Sequence, residues 1–129
     1  MTGNISVSNG RRWTGRILGA WVALFLAFDA VVKVLNASVA VDGTMRLGYP
    51  AHLVAVLGWV ELASLTAYLV PRTSWIGAAL LTAYLGGATA AQVRVQDPWF
   101  AFPVALGLLV WGALWLRDSR VGELLLARA

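Results

Sequence analysis

Residues 17–35 read ILGAWVALFLAFDAVVKVL, an apolar run broken only by Asp29 and Lys33 near its far end. About 20 helical residues at 1.5 Å each cross a hydrocarbon core of about 30 Å, so this run has the length and character of a transmembrane helix. Arg11, Arg12 and Arg16 precede it. A basic prefix also opens a signal peptide, and Ser38-Val39-Ala40 resembles a cleavage site. The run is longer than a usual signal core, however, and its end carries two charges, so the expectation is a retained anchor.

The same reading repeats along the chain. Span two covers about Ala51 to Val70, span three Trp75 to Val93 and span four Trp99 to Leu116. Pro71-Arg72-Thr73-Ser74 makes a tight turn between spans two and three, and Asp97-Pro98 breaks the chain before span four. Asn36 to Pro50 connects spans one and two and ends Gly48-Tyr49-Pro50, a helix stop followed by a residue suited to the first turn of a new helix. A short surface helix over Val39 to Leu47 fits this connection, and a plain loop is the alternative. The fold class expected is an all-α membrane protein, a four-transmembrane-helix bundle. Residues 1–15 form a disordered cytoplasmic tail in this reading, 16–117 the transmembrane domain and 118–129 a short interfacial tail.

Composition agrees. Of 129 residues, 60% are hydrophobic and 12% charged, about half the charged share of a soluble domain. Mean hydropathy is +0.74. The net charge of +4 comes from basic residues at span ends, where a positive-inside bias accounts for it better than nucleic-acid binding does. With the N-terminus inside, Arg11, Arg12, Arg16, Arg72, Arg117, Arg120 and Arg128 are cytoplasmic, while Arg46 and Arg94 lie outside and Lys33 near the outer boundary. Trp13, Trp75 and Trp115 mark the inner interface, Tyr49 and Trp99 the outer one. The expectation is a multi-pass plasma-membrane protein with both termini cytoplasmic. There is no cysteine and a single histidine, which excludes disulfides, thiol redox centres, cysteine-ligated clusters and a bis-histidine haem within one chain. No metal site is expected.

Ionisable groups inside a bilayer cost roughly 2.5–3.5 kcal/mol each on insertion scales, so Asp29, Lys33 and Glu61 each require a reason. Asp29 and Lys33 are one turn apart on a common helix face. Glu61 lies near the middle of span two with no base one turn away, and Lys33 is its best partner. Ser64 and Tyr68 continue its face. His52, Gln92 and Arg94 fall in the same outer half, so these residues together suggest a polar cavity open outward. The competing readings stay open: an ion pair that lets span one insert, a buried pair that fixes packing, a solvated His52, an interfacial Arg94. Ala79, Ala83, Gly87 and Ala91 form a small-residue stripe on span three, suited to packing within the chain or to a homo-oligomer.

Several blocks resemble DoxX-like proteins, in their short branch with four transmembrane helices: Phe28-Asp29-Ala30-Val31-Val32-Lys33, Leu47-Gly48-Tyr49-Pro50, Glu61-Leu62, Tyr68 to Thr73, and above all Gly77 to Arg94. The resemblance covers about Arg16 to Arg117. Lys33, Glu61, Tyr68, Arg72, Tyr84, Gly86, Gly87 and Arg94 are the positions that match the family pattern. It implies a link to redox-linked membrane systems, a possible quinone cofactor and an oxidoreductase partner subunit beside membrane lipid. The ligand-binding set is then Asp29, Lys33, His52, Tyr68, Tyr84, Gln92 and Arg94, with Glu61 as the proton-handling, catalytic residue. A stand-alone acid–base enzyme using Glu61 and a structural or transport oligomer are the alternatives.

Overall fold

The computed structural model describes residues 9–118 and residue 120. These residues hold five α-helices and no strand: α1 (Asn9–Val34), α2 (Ser38–Arg46), α3 (Val54–Leu69), α4 (Ser74–Arg94) and α5 (Ala101–Arg117). Short 3-10 turns, Ala51–Leu53, Pro71–Thr73 and Pro98–Phe100, lead into α3, α4 and α5. With these turns, four segments are long and apolar enough to cross a membrane. Many large apolar side chains face outward along them, among them Leu24 (73% exposed), Phe28 (70%) and Leu108 (71%). Such a surface has lipid as its solvent.

The four long helices form a square. α1 packs on α3 and α5, and α4 packs on the same two, so α1 and α4 stand on one diagonal. Val22, Leu26, Leu65, Leu81, Leu85, Leu106 and Val110 fill the centre. The short helix between the first two spans is present as α2. α1 begins at Asn9 rather than at residue 16, so residues 9–15 are helical where a disordered tail was expected. This added stretch is clasped to α5: the Arg11 guanidinium donates to the Trp115 carbonyl at 2.9 Å and lies over its indole ring. Of the expected tails, residues 1–8, 119 and 121–129 lie outside the described residues.

Every helix end must satisfy its last carbonyls without help from lipid. At the α2 end of the bundle the chain does so three times in the same way. Asn36, Gly48 and Gln96 have positive φ. Behind them the amides of Ala37, Tyr49 and Asp97 return to the carbonyls of Val32, Thr44 and Gln92. This is the paired backbone closure typical of a left-handed helix stop. At the opposite end side chains take over. The Thr73 hydroxyl donates to the Ala67 carbonyl at 2.7 Å and the Ser74 hydroxyl to the Tyr68 carbonyl at 2.8 Å.

Gly58 sets the distance between α1 and α3. A Cβ there would meet the Ala30 carbonyl oxygen, the Lys33 Cβ and the Val34 amide nitrogen, each at 2.8 Å. The bare backbone lets α3 lie against α1 at the level of Lys33. We therefore expect Gly58→Val to force the helices apart and lower stability by about 1–3 kcal/mol, the usual range for overpacking. Gly86→Ala, where a Cβ meets open space, should be neutral or stabilising by up to about 1 kcal/mol. Unfolding in mixed micelles with increasing dodecyl sulfate measures both.

Candidate functional site

Lys33 is the hub of the polar residues. It sits in the last turn of α1, with its side chain 16% exposed. Its ammonium donates to Asp29 Oδ2 at 2.6 Å, to the Tyr84 hydroxyl at 2.6 Å and to Glu61 Oε1 at 3.3 Å. Three donors meet three acceptors, which uses the full capacity of a lysine. Asp29 comes from the preceding turn of the same helix, Glu61 from α3 and Tyr84 from α4, so one ammonium joins α1 to both a neighbour and the diagonal helix. Glu61 is completely buried, brought against α1 by the close approach at Gly58 one turn earlier. Its second carboxylate oxygen, Oε2, has no hydrogen-bond partner. Tyr84 accepts from Lys33 and so keeps its own O–H proton for another acceptor.

This cluster forms the wall of a cavity of about 340 Å³, within the range of small-ligand sites. α1 supplies Phe25, Phe28, Asp29 and Lys33, α3 supplies Glu61, α4 supplies Tyr84, Ala88 and Gln92, and α5 supplies Phe102 and Leu106. α2 closes the top with Ala40, Gly43 and Thr44, followed by Leu47. Phe28, Val39 and Phe102 line the cavity and are themselves exposed on the outer surface. The cavity thus reaches the outer surface between α1, α2 and α5. Phe25 and Phe102 meet edge to face there, with ring centroids 5.2 Å apart. A second cavity of about 210 Å³ lies across the Lys33–Tyr84 pair, lined also by Tyr49, Leu57, Ala83 and Gly87.

The structure brings together Asp29, Lys33, Glu61, Tyr84 and Gln92. It does not bring in His52, Tyr68 or Arg94, which the sequence reading had grouped with them. His52 is exposed in the 3-10 turn before α3 and lines neither cavity. Arg94 turns the other way, donating to the Leu47 carbonyl at 2.6 Å. It lies across Gly48, whose φ of +99° and lack of Cβ leave room for the guanidinium, so it fastens the α2–α3 connection. Tyr68 lies towards the opposite end of the bundle, fully buried. It donates to the Val110 carbonyl at 2.7 Å, and the Arg117 guanidinium lies 4.9 Å from its ring centre. Of the small-residue stripe, Ala79, Ala83 and Gly87 are exposed and Ala91 is buried.

Sequence reasoning missed the α2 roof and the aromatic rim. The roof carries a legible signal: Ala40, Gly43, Thr44 and Leu47 follow the i, i+3, i+4, i+7 pattern of one helical face. Thr44 is the buried residue of that helix. The rim carries none, because Phe25, Phe28 and Phe102 look like any lipid-facing aromatics until α1 and α5 are placed side by side.

Removing one member of a buried ion cluster strands the others, which typically costs about 3–5 kcal/mol. Lys33→Ala should therefore destabilise the bundle by that amount, leaving Asp29 and Glu61 without their cation. Adding Glu61→Gln to Lys33→Ala should recover at least about 1 kcal/mol, the usual scale of coupling between contacting residues. A double-mutant cycle on unfolding free energy measures it, and strict additivity would show that the cluster is not coupled.

The DoxX-like family model matches residues 17–113. That stretch contains the whole cluster, all of α2, α3 and α4, and most of α1 and α5. No curated protein and no solved structure shows significant similarity to the chain.

Proposed function

The chain belongs to the DoxX-like family, and from that premise we propose that it binds a small lipophilic ligand bearing a carbonyl or anionic oxygen, quinone-like in chemistry, as an accessory subunit of a redox-linked membrane system. The observation that carries this reading is the Lys33 cluster on the wall of a cavity that reaches the outer surface at Phe28 and Phe102. A ligand dissolved in the bilayer enters such a cavity without crossing water. Its ring packs among Phe25, Leu106 and the Tyr84 ring, and its oxygen takes the Tyr84 hydroxyl proton as a hydrogen bond or displaces the long Lys33–Glu61 contact. Reduction of a quinone to a quinol consumes two electrons and two protons. Glu61 and Asp29 are placed to pass the protons. A chain with no cysteine and one histidine supplies no electron carrier of its own kind, so a partner subunit supplies the electrons.

Losing one hydrogen bond to a charged or polar anchor costs roughly 1.5–3 kcal/mol, about ten- to a hundredfold in affinity. Equilibrium dialysis of a short-chain quinone against the purified protein in nanodiscs should show saturable binding, weakened at least about tenfold by Lys33→Met and several-fold by Tyr84→Phe. His52→Gln and Arg94→Gln should bind as the wild type does. Non-saturable partitioning, equal in all variants, would sink the quinone reading. A second reading, a stand-alone acid–base enzyme, is favoured by one observation: Glu61 Oε2 is buried in the cavity wall without a partner. Isomerisation of a lipid-soluble substrate without any electron acceptor, abolished by Glu61→Gln, distinguishes it.

The orientation follows from charge. We place the ends of α1 and α5 that carry Arg11, Arg12, Arg16 and Arg117, with Arg120 just beyond α5, in the cytoplasm of a cell bounded by its plasma membrane, and the cavity in the outer half. Because the chain has no native cysteine, single-cysteine labelling is clean. Gly43→Cys and Gln96→Cys should react with an impermeant maleimide on intact cells and Thr73→Cys only after lysis. The opposite pattern inverts the assignment.

A further inference from the structure

At the end of the bundle away from the Lys33 cluster there is a cleft of about 440 Å³, bordered by Arg16, Arg117 and Arg120, with the hydroxyl-bearing Ser74 behind them and Leu69 and Leu114 at its apolar edge. Among the described residues, three guanidiniums face one carboxylate, Asp118. That carboxylate is committed: both its oxygens accept from Arg120, Oδ1 at 3.1 Å and Oδ2 at 2.9 Å. The guanidinium beside it holds the Asp118 carboxyl below its usual range, so the pair is neutral in sum and two positive charges remain. Among the described residues, neither Arg16 nor Arg117 is in a salt bridge. Both are instead held by aromatic faces, Arg117 over Tyr68 at 4.9 Å and Arg16 over Trp13 at 5.6 Å. A guanidinium laid on a ring is fixed in orientation; the Nη1 edge of Arg117 packs against α1 at Gly19, while the side chain still borders the cleft, and a guanidinium fork matches a phosphate in bidentate fashion.

Depth decides which anion. Trp13, Trp75 and Trp115 are all about half exposed or more at this end, and tryptophans on a bilayer-spanning surface collect at the headgroup level. Trp75 adjoins Ser74 in sequence, and the Arg11 clasp on the Trp115 carbonyl holds α1 to α5 at the same height. The cleft therefore lies where phospholipid phosphates lie, with its apolar edge facing the acyl chains.

We propose that the cleft between Arg16, Arg117 and Arg120 is a specific site for the phosphodiester headgroup of an anionic membrane phospholipid, distinct from the Lys33 cavity. The phosphodiester is taken between Arg16 and Arg117, Arg120 stands at the rim with its charge balanced by Asp118, and the glycerol and acyl chains leave over Leu69 and Leu114.

The test is native mass spectrometry of the full chain released from nanodiscs of equimolar phosphatidylglycerol and phosphatidylcholine. One basic residue near a bilayer surface is worth about fivefold in lipid affinity. The wild type is expected to retain phosphatidylglycerol over phosphatidylcholine by at least about fivefold. Arg16→Gln removes most of that preference. It changes an exposed side chain and leaves the Arg117–Tyr68 contact in place, so its thermal stability matches wild type and the loss is read on folded protein. Asp118→Asn, which removes the one carboxylate that borders the cleft among the described residues, strengthens retention by about two- to fivefold. Arg72→Gln, a basic residue at the same end but outside the cleft, leaves the preference unchanged. An equal loss from Arg72→Gln and Arg16→Gln would overturn the site in favour of diffuse surface charge. No preference in the wild type would overturn it outright. Displacement of the lipid by millimolar inorganic phosphate would assign the cleft to a free anion and overturn the lipid source.

Discussion

The ammonium of Lys33 is the point on which the upper half of the bundle depends. In lipid, helices gain nothing by hiding apolar faces from one another, because the hydrocarbon outside is as apolar as the helix within. What selects one arrangement is close backbone approach and polar contact. Lys33 supplies the polar contact to α3 and across the diagonal to α4, and Gly58 supplies the close approach that puts Glu61 within its reach. Neither works alone: a larger residue at position 58 would move Glu61 away, and an apolar residue at 33 would leave two carboxylates facing each other.

The opposite end is built on a different cation. There Arg117 lies on the Tyr68 ring, Tyr68 bonds the Val110 carbonyl, and Ser74 bonds the Tyr68 carbonyl, so α3, α4 and α5 are tied around one aromatic residue. Between the two polar layers the interior is aliphatic, with Leu26, Leu65, Leu81, Leu85 and Val110. The Arg117–Tyr68 end ties its buried polar groups to one another and borders a cleft at its surface. The Lys33 end sets its ion cluster in the wall of a cavity between the helices.

The membrane spans and their turns were legible because both rest on local properties: apolar length, and proline or glycine at the breaks. The cost of intramembrane charge pointed to Asp29, Lys33 and Glu61, and the fold brings these three together. Azimuth around each helix was not legible. Gln92 and Arg94 lie at nearly the same level, yet at about 100° per residue they stand about 200° apart around α4. Gln92 therefore faces the cavity and Arg94 the Leu47 carbonyl. Tyr68 failed in the other coordinate. It shares a face with Glu61, but seven residues at 1.5 Å place it about 10 Å further along α3, in the other polar layer. Which helices are neighbours decides the aromatic rim, and no local signal in Phe28 or Phe102 contains that information.

A cluster of this kind is a poor way to stabilise a bundle. Replacing a buried ion pair by packed apolar side chains is often neutral or stabilising, and span one would insert more readily without two charges in it. If the cluster served packing alone, the space around it would be filled to the density of a protein interior. Instead Lys33 and Tyr84 separate two cavities of about 340 and 210 Å³, and the larger is roofed by a helix, α2, which turns Thr44 inward over it. Charge, volume and access from the outer surface coincide at this place in the fold. The reading of this place as a binding site rests on that coincidence rather than on any one of the three.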